Sequence, residues 1–128
     1  MTSKQRRLPD WVQDIRDAIQ NIRADIGEVT ENEFLDDGKT LRAVTKGLSD
    51  IGEAANQIMV IAPWLEQVNP DAWIHFKRVY AMRIVLTHGY FRTDAGVVWD
   101  TVNNHLPILE KFLDSITLDK GSNPARLS

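Results

Sequence analysis

The chain contains no cysteine. Disulfide frameworks, thiolate metal sites and cysteine nucleophiles are therefore excluded. A long apolar run is also missing, because residues 58–65 form the longest strongly apolar stretch and Pro63 interrupts it. That stretch is far too short to cross a bilayer, and no apolar segment of signal-peptide type follows the basic residues 1–7. We therefore expect a cytoplasmic protein without a membrane partner.

An excess of positive charge is missing as well. The chain has 15 Lys and Arg against 18 Asp and Glu, which gives a formal net charge of −3. A protein that binds a long nucleic acid across a whole face normally has a positively charged surface there. The acidic balance therefore argues against a general DNA- or RNA-binding protein. It remains compatible with an enzyme that contacts nucleic acid in a small cleft.

Apolar residues recur at gaps of three and four, and no segment alternates in the manner of a strand. This spacing predicts an all-α fold, an antiparallel bundle of four to five helices in one domain over residues 1–118. The tail 119–128 is polar, and we expect it to be flexible. The first predicted helix runs from about Pro9 to Ile26 and is followed by a short helical turn capped by Thr30 and Glu33. The second runs from about Lys39 to Ala62. A third helix begins after Asn69, Pro70 and Asp71, and a fourth runs from Thr93 and Asp94 through Ile116.

The third predicted helix is expected to be central, because a helix that is apolar on nearly every side is normally buried. Gly47 and Gly52 in the second helix are small enough to let a neighbouring helix approach closely. Pro107 should bend the fourth helix, since proline cannot donate the backbone hydrogen bond. The apolar residues of the third helix are Trp73, Phe76, Val79, Tyr80, Met82, Ile84 and Leu86.

Two familiar motifs fail on inspection. Gly38-Lys39-Thr40 lacks the earlier glycine and the preceding strand of a phosphate-binding loop, so it is interpreted as a loop and helix start. The three histidines, His75, His88 and His105, are too scattered for a paired-histidine metal motif. We therefore expect no metal site and no cofactor.

Arg83, His88 and Tyr90 form the most informative cluster, beside Gly89. An imidazole can exchange a proton with a ribose hydroxyl, and a guanidinium can hold a phosphate through its transition state. On an ideal helix Arg83 and His88 are roughly 140° apart. The two side chains could meet in three ways. The long Arg83 side chain could reach around the helix, the helix could unwind near Gly89, or a second subunit could complete the site. The plainer interpretation is a surface ion pair and a partner for the helix end.

The spacing of Arg83, His88 and Tyr90 resembles the signature of HEPN-domain ribonucleases, specifically the HepT toxins of toxin–antitoxin pairs. Residues 49–56 resemble the second-helix segment of that family. The segments 82–91, 98–100 and 106–107 follow its pattern into the last helix. The resemblance covers roughly residues 8–117.

The resemblance implies a homodimer in which two Arg/His sites face each other across an interface cleft. It implies that Arg83 and His88 are catalytic and act on RNA without a metal, and that DNA is not a substrate. The family's antitoxin is a nucleotidyltransferase of the MNT type that transfers AMP to the motif tyrosine, here Tyr90. Glu53 and Asn56 are candidate cleft-lining residues, although a solvated polar stripe along the same helix would also explain them.

The sequence hypothesis is thus a metal-independent RNase toxin of a type VII-like toxin–antitoxin system, neutralised by adenylylation of Tyr90. The first alternative is a non-catalytic helical adaptor that binds the nucleotidyltransferase partner or a nucleotide through Arg83 and His88. The second alternative is a plain structural bundle.

Overall fold

The computed structural model describes residues 6–88 and 94–118, and this part of the chain is entirely helical, as predicted. Residues 119–128, for which a flexible tail is predicted, lie outside the described residues. None of the described helices is both long and apolar enough to span a membrane. The helices are α1 (Leu8–Ile26), α2 (Glu31–Leu35), α3 (Gly38–Ile61), α4 (Leu65–Val68), α5 (Pro70–Thr87), α6 (Ala95–Asp100), a π-helical segment (Thr101–His105) and α7 (Leu106–Leu118).

Helices α1 and α3 form the part of the core that the spacing predicts. Pro9 lies in the first turn of α1, where its missing N–H costs nothing. The helix ends at Gly27, whose φ of 55° lies in the left-handed region that glycine tolerates best. The apolar positions that face each other between these two helices are buried, namely Val12, Ile15, Ile19, Ile22 and Ile26 of α1 and Val44, Leu48, Ile51, Ala55 and Ile58 of α3.

The short helix α2 begins with the predicted capping box. The Glu33 N–H donates to Thr30 Oγ1 at 3.3 Å, and the Thr30 N–H donates to Glu33 Oε1 at 3.1 Å. These hydrogen bonds from Thr30 lower the pKa of Glu33. Phe34 is completely buried and its ring centroid lies 5.2 Å from that of Trp99. Helix α2 thereby connects the first half of the bundle to α6.

A close contact between α3 and α5 depends on Gly52. A Cβ atom at this position would lie 2.8 Å from the Val79 carbonyl oxygen and would also clash with Arg83 Cβ. Only glycine therefore allows the two backbones to approach this closely. The prediction that a small residue in this helix admits a neighbouring helix is confirmed, and the neighbour is the helix that carries Arg83.

The predicted central position of α5 is wrong. Its buried residues, Ala72, Phe76 and Val79, lie on one side only. On other sides Ile84 is 39% and Val85 is 58% exposed. Among the described residues α5 packs against α3, α4 and α7, and these contacts leave Ile84 and Val85 exposed. Because α5 has apolar residues on several sides and only one side is buried, part of its apolar surface is exposed.

The last helical stretch is continuous but contains a wide turn. It begins with Asp94, whose Oδ1 accepts hydrogen bonds from the N–H groups of Gly96 and Val97. In the segment Thr101–His105 the backbone follows a π-helix, and the Leu106 N–H bonds to the Thr101 carbonyl. Pro107, which has no N–H, follows at once. The distortion predicted at Pro107 therefore takes the form of a π-helical turn just before this residue. The short helix α4 was not predicted.

Candidate active site

Arg83 lies where α5 crosses α3, with its Cβ over Gly52. Its side chain is 30% exposed, and Nη2 lies 3.4 Å from Oε2 of Glu53. The other oxygen of Glu53 accepts a hydrogen bond of 3.0 Å from Gln57 Nε2. Glu53 therefore holds the guanidinium of Arg83, and Gln57, one turn further along α3, holds Glu53 in turn.

The Nε atom of Arg83 is buried and has no hydrogen-bond partner among the described residues. A buried donor without a partner is costly in a folded protein, typically by about 1–3 kcal/mol. Such a donor is usually explained by function, or by a water or ion that completes it. Because Nε is buried, an anion from solvent would meet the Nη groups of this partly exposed side chain.

His88 lies at the C-terminal end of α5, where its side chain is exposed. Its Nδ1 atom is 2.7 Å from the carbonyl oxygen of Ile84. Because a carbonyl oxygen can only accept, Nδ1 must carry the proton and donate it. The free position of the ring is then Nε2, which can take up or release a proton. The helix end thus fixes the tautomer that proton transfer through Nε2 requires.

The structure of a single chain does not bring Arg83 and His88 together. Helix α5 is regular as far as Thr87, so the separation of roughly 140° about its axis persists. Arg83 faces α3 whereas His88 is exposed, and no hydrogen bond joins the two side chains in the described part of the chain. Tyr90 and Gly89 lie outside the described residues.

The two candidate cleft-lining residues border different hollows. Asn56 lines a groove of about 660 Å³ between the C-terminal half of α3 and the outer side of α5, beside Tyr80 and Ile84. Glu53 lines a hollow of about 680 Å³ between α1 and α3. That hollow is strongly acidic, since Asp14, Asp17, Asp25 and Asp50 also border it. Neither Arg83 nor His88 lines either hollow.

Within residues 6–88 and 94–118 no group of three or more His, Asp or Glu side chains is arranged to hold a metal ion. Two of the three histidines nevertheless meet across the fold. His75 of α5 and His105 of the π-helical segment line one pocket together with Arg78. Sequence spacing could not show this, because the two histidines are 30 positions apart and only the packing of α5 on the last helices brings them together.

The fold is that of a small all-helical protein that carries an arginine and a histidine near the C-terminal end of α5. The chain belongs to the HepT-like ribonuclease family, whose model matches residues 15–116. This confirms the resemblance drawn from the sequence. The chain is 34% identical over 105 residues to "Probable ribonuclease HepT" of Thermococcus cleftensis, an alignment that covers 82% of this chain and 91% of the relative.

A second relative is "Putative RNase MJ0127" of Methanocaldococcus jannaschii. It is 29% identical over 109 residues, covering 85% of this chain and 86% of the relative. No solved structure matches the chain significantly.

Proposed function

We propose that this protein is a metal-independent endoribonuclease in which Arg83 and His88 are the catalytic residues. The observation that carries the proposal is the orientation of the Arg83 and His88 side chains by their hydrogen-bond and ion-pair partners. Glu53 orients the partly exposed guanidinium of Arg83, and the hydrogen bond from His88 Nδ1 to the Ile84 carbonyl leaves Nε2 as the proton-accepting atom of the ring. Membership of the HepT-like ribonuclease family supports the same substrate class.

The proposed reaction begins when His88 Nε2 removes the proton of a ribose 2′-hydroxyl. The freed oxygen attacks the adjacent phosphorus, the bond to the 5′ oxygen breaks, and that leaving oxygen takes a proton from water. The products are a 2′,3′-cyclic phosphate and a 5′-hydroxyl end. The guanidinium of Arg83 stabilises the additional negative charge on the phosphate in the transition state.

Glu53 acts in this proposal as a positioning residue. Its contact with Nη2 orients the guanidinium so that the Nη groups of the partly exposed Arg83 side chain face the phosphate. The ion pair is partly exposed, so its contribution to stability is small. Its value lies in fixing the orientation of the guanidinium. Asn56 lines a different hollow, the groove between α3 and α5, and is proposed to contact the RNA strand from its wall.

A homodimer is the proposed active form, because one chain leaves Arg83 and His88 on different sides of α5. The exposed Ile84 and Val85 precede His88 by four and three positions, so they flank it on the helix surface. A second copy that covered this apolar surface would bring its own arginine towards the exposed imidazole. The site would then be composed of residues from two protomers.

We further propose that the chain is the toxin of a type VII-like pair and that a nucleotidyltransferase of the MNT type is its antitoxin. Transfer of AMP from ATP to the Tyr90 hydroxyl would release pyrophosphate and leave a bulky anion two residues from His88. Bulk and charge would both oppose binding of an RNA phosphate. The support for this part is the resemblance of the motif around Tyr90.

The direct test is cleavage of a labelled RNA by the wild type and by His88→Gln, in the presence of a chelator. We expect the wild type to cut and the variant to lose at least about a hundredfold in rate, since general acid–base catalysis contributes that much. Thr87→Ala, an exposed neighbour, is the matched control and should cut normally. Cleavage by His88→Gln at the wild-type rate would reject the assignment, and no cleavage by any form would favour the adaptor hypothesis.

A further inference from the structure

A second pocket lies on the side of α5 opposite to its outer groove, between α5 and the last helices. It has a volume of about 310 Å³ and lies at the lower end of the range for small-molecule sites. Neither Arg83 nor His88 lines it. We propose that this pocket binds one nucleotide unit, with the base on its apolar floor and the phosphate at Arg78.

The floor of the pocket is apolar. Val79 of α5 and Leu106 and Leu109 of α7 are buried there, and Met82 and Val97 complete the walls. His75, Val79 and Met82 follow each other at gaps of four and three, so one side of α5 supplies them all. A flat ring of low polarity fits such a surface.

The rim of the pocket is polar and has a positive character. His75 and Arg78 come from α5, and Thr101 and His105 come from the π-helical segment. None of the described lining residues is Asp or Glu, although the chain as a whole carries a net charge of −3. Two carboxylates lie near the rim: Asp100, 3.2 Å from His105 Nε2, and Asp71, whose charge acts on His75. An anionic group is the ligand that this rim would select, with Arg78 as its permanent counter-charge.

His75 supplies a flat surface more than a charge. Burial lowers the pKa of His75, and the nearby Arg78 and His105 lower it further, whereas Asp71 opposes the change. The imidazole is therefore mainly neutral at pH 7. Its ring also lies 5.2 Å from the ring of Phe112. A neutral imidazole supported by an aromatic ring is suited to contact a base and to hydrogen-bond its edge.

One wall of the pocket is the π-helical segment, a rare conformation that often occurs at functional sites. In and next to this segment, side chains donate hydrogen bonds to backbone carbonyl groups. Thr101 Oγ1 donates to the Val97 carbonyl at 2.8 Å, and Asn103 Nδ2 donates to the Trp99 carbonyl at 2.9 Å. The wide turn places Thr101 and His105 on the pocket side of the helix.

The nucleotide unit has two possible sources, a free mononucleotide or one residue of an RNA strand. Arg78 and Arg83 are five residues apart, which is about 7.5 Å along the axis of α5 but roughly 140° around it. An RNA strand held at Arg83 would therefore have to wrap round α5 to place another of its nucleotides in this pocket. The second source rests on the proposed ribonuclease activity, whereas the first does not.

Calorimetric titration with AMP, GMP, CMP and UMP tests the pocket in the intact protein. We expect Arg78→Ala to weaken binding about tenfold or more, because it removes a charge-assisted hydrogen bond. Lys111→Ala removes the same charge from an exposed position of α7 that lines neither this pocket nor the groove beside Asn56, and it should bind normally. Val97→Trp should block binding, since Val97 is exposed and a large ring there fills the cavity.

Cleavage of RNA oligonucleotides that differ at a single base distinguishes the two sources. If Arg78→Ala changes the base preference or raises KM for RNA while Lys111→Ala does not, the unit belongs to the RNA strand. Binding of mononucleotides without such a change identifies a free nucleotide. Two results would overturn the proposal: equal behaviour of Arg78→Ala and Lys111→Ala in both assays, or nucleotide binding that is lost in Arg83→Ala but kept in Arg78→Ala. Thermal unfolding of each variant confirms that it is folded.

Discussion

Single residues of the site are held by contacts that do not add much stability. The pair of Glu53 and Arg83 is partly exposed, with side-chain exposures of 41% and 30%, and such ion pairs contribute little to folding. The hydrogen bond from His88 to the Ile84 carbonyl is also exposed. These contacts fix direction and proton position, which are the properties that general acid–base and electrostatic catalysis need.

Glu53→Gln should therefore separate catalysis from stability. We expect kcat for RNA cleavage to fall about tenfold, because a misplaced guanidinium loses transition-state contact. The melting temperature should hardly change. KM should fall slightly, since the loss of one negative charge favours binding of an anionic strand.

The matched control is Asp50→Asn. Asp50 lies three residues before Glu53 on α3 and pairs with Lys46 at 2.7 Å, so the same charge is removed without touching Arg83. It should share the fall in KM and keep kcat. An equal loss of kcat in both variants would show that Glu53 acts only through its charge and not through its contact with Arg83.

Whole elements position the site through the contact of α3 with α5. Gly52→Ala should force these helices apart, since a Cβ there would lie 2.8 Å from the Val79 carbonyl oxygen and clash with Arg83 Cβ. Overpacking of this kind costs about 1–3 kcal/mol. We expect both the stability in thermal unfolding and kcat to fall, the latter because Arg83 moves.

Gly47→Ala provides the comparison at the element scale. A Cβ at Gly47 would lie 2.6 Å from Ile22 Cγ1, at the contact of α3 with α1, away from Arg83. It should lower stability but keep kcat when cleavage is measured at a temperature where all forms are folded. A similar loss of kcat in Gly47→Ala would indicate that activity follows general stability and not the position of α5.

The same elements show where sequence suffices and where it does not. Gaps of three and four predict α1 and α3 with their buried residues, because each helix has one apolar side. The pattern of α5 has apolar residues on several sides, so periodicity cannot tell which side is covered. The π-helical turn and α4 leave no periodic signal, since each is shorter than the window that reveals one. The pocket of His75, Arg78 and His105 requires the packing of distant helices.

At the scale of the whole molecule, one chain contains both proposed catalytic residues but does not bring them together. Arg83 faces α3, His88 is exposed, and apolar residues flank His88 on the uncovered side of α5. A dimer with two-fold symmetry would cover this surface twice and create two equivalent sites. Each site would then combine the arginine of one protomer with the histidine of its partner.

Mixing two inactive variants tests this arrangement. Arg83→Ala and His88→Gln should each be inactive alone, whereas their heterodimer contains one intact site of two. After subunit exchange, half of the dimers in an equal mixture are heterodimers, so about a quarter of the wild-type activity should return. If each site took both residues from one protomer, no activity would return.

The control for the mixture is Val85→Glu introduced into both inactive variants. Val85 is 58% exposed, so a charge there should leave the fold intact but prevent association of the apolar surfaces. Sedimentation should then show monomers, and the mixture should stay inactive. Ile108→Glu places the same charge on an exposed position of α7 and should leave both dimerisation and the restored activity unchanged. Restoration in the Val85→Glu mixture would show that contacts away from α5 join the protomers.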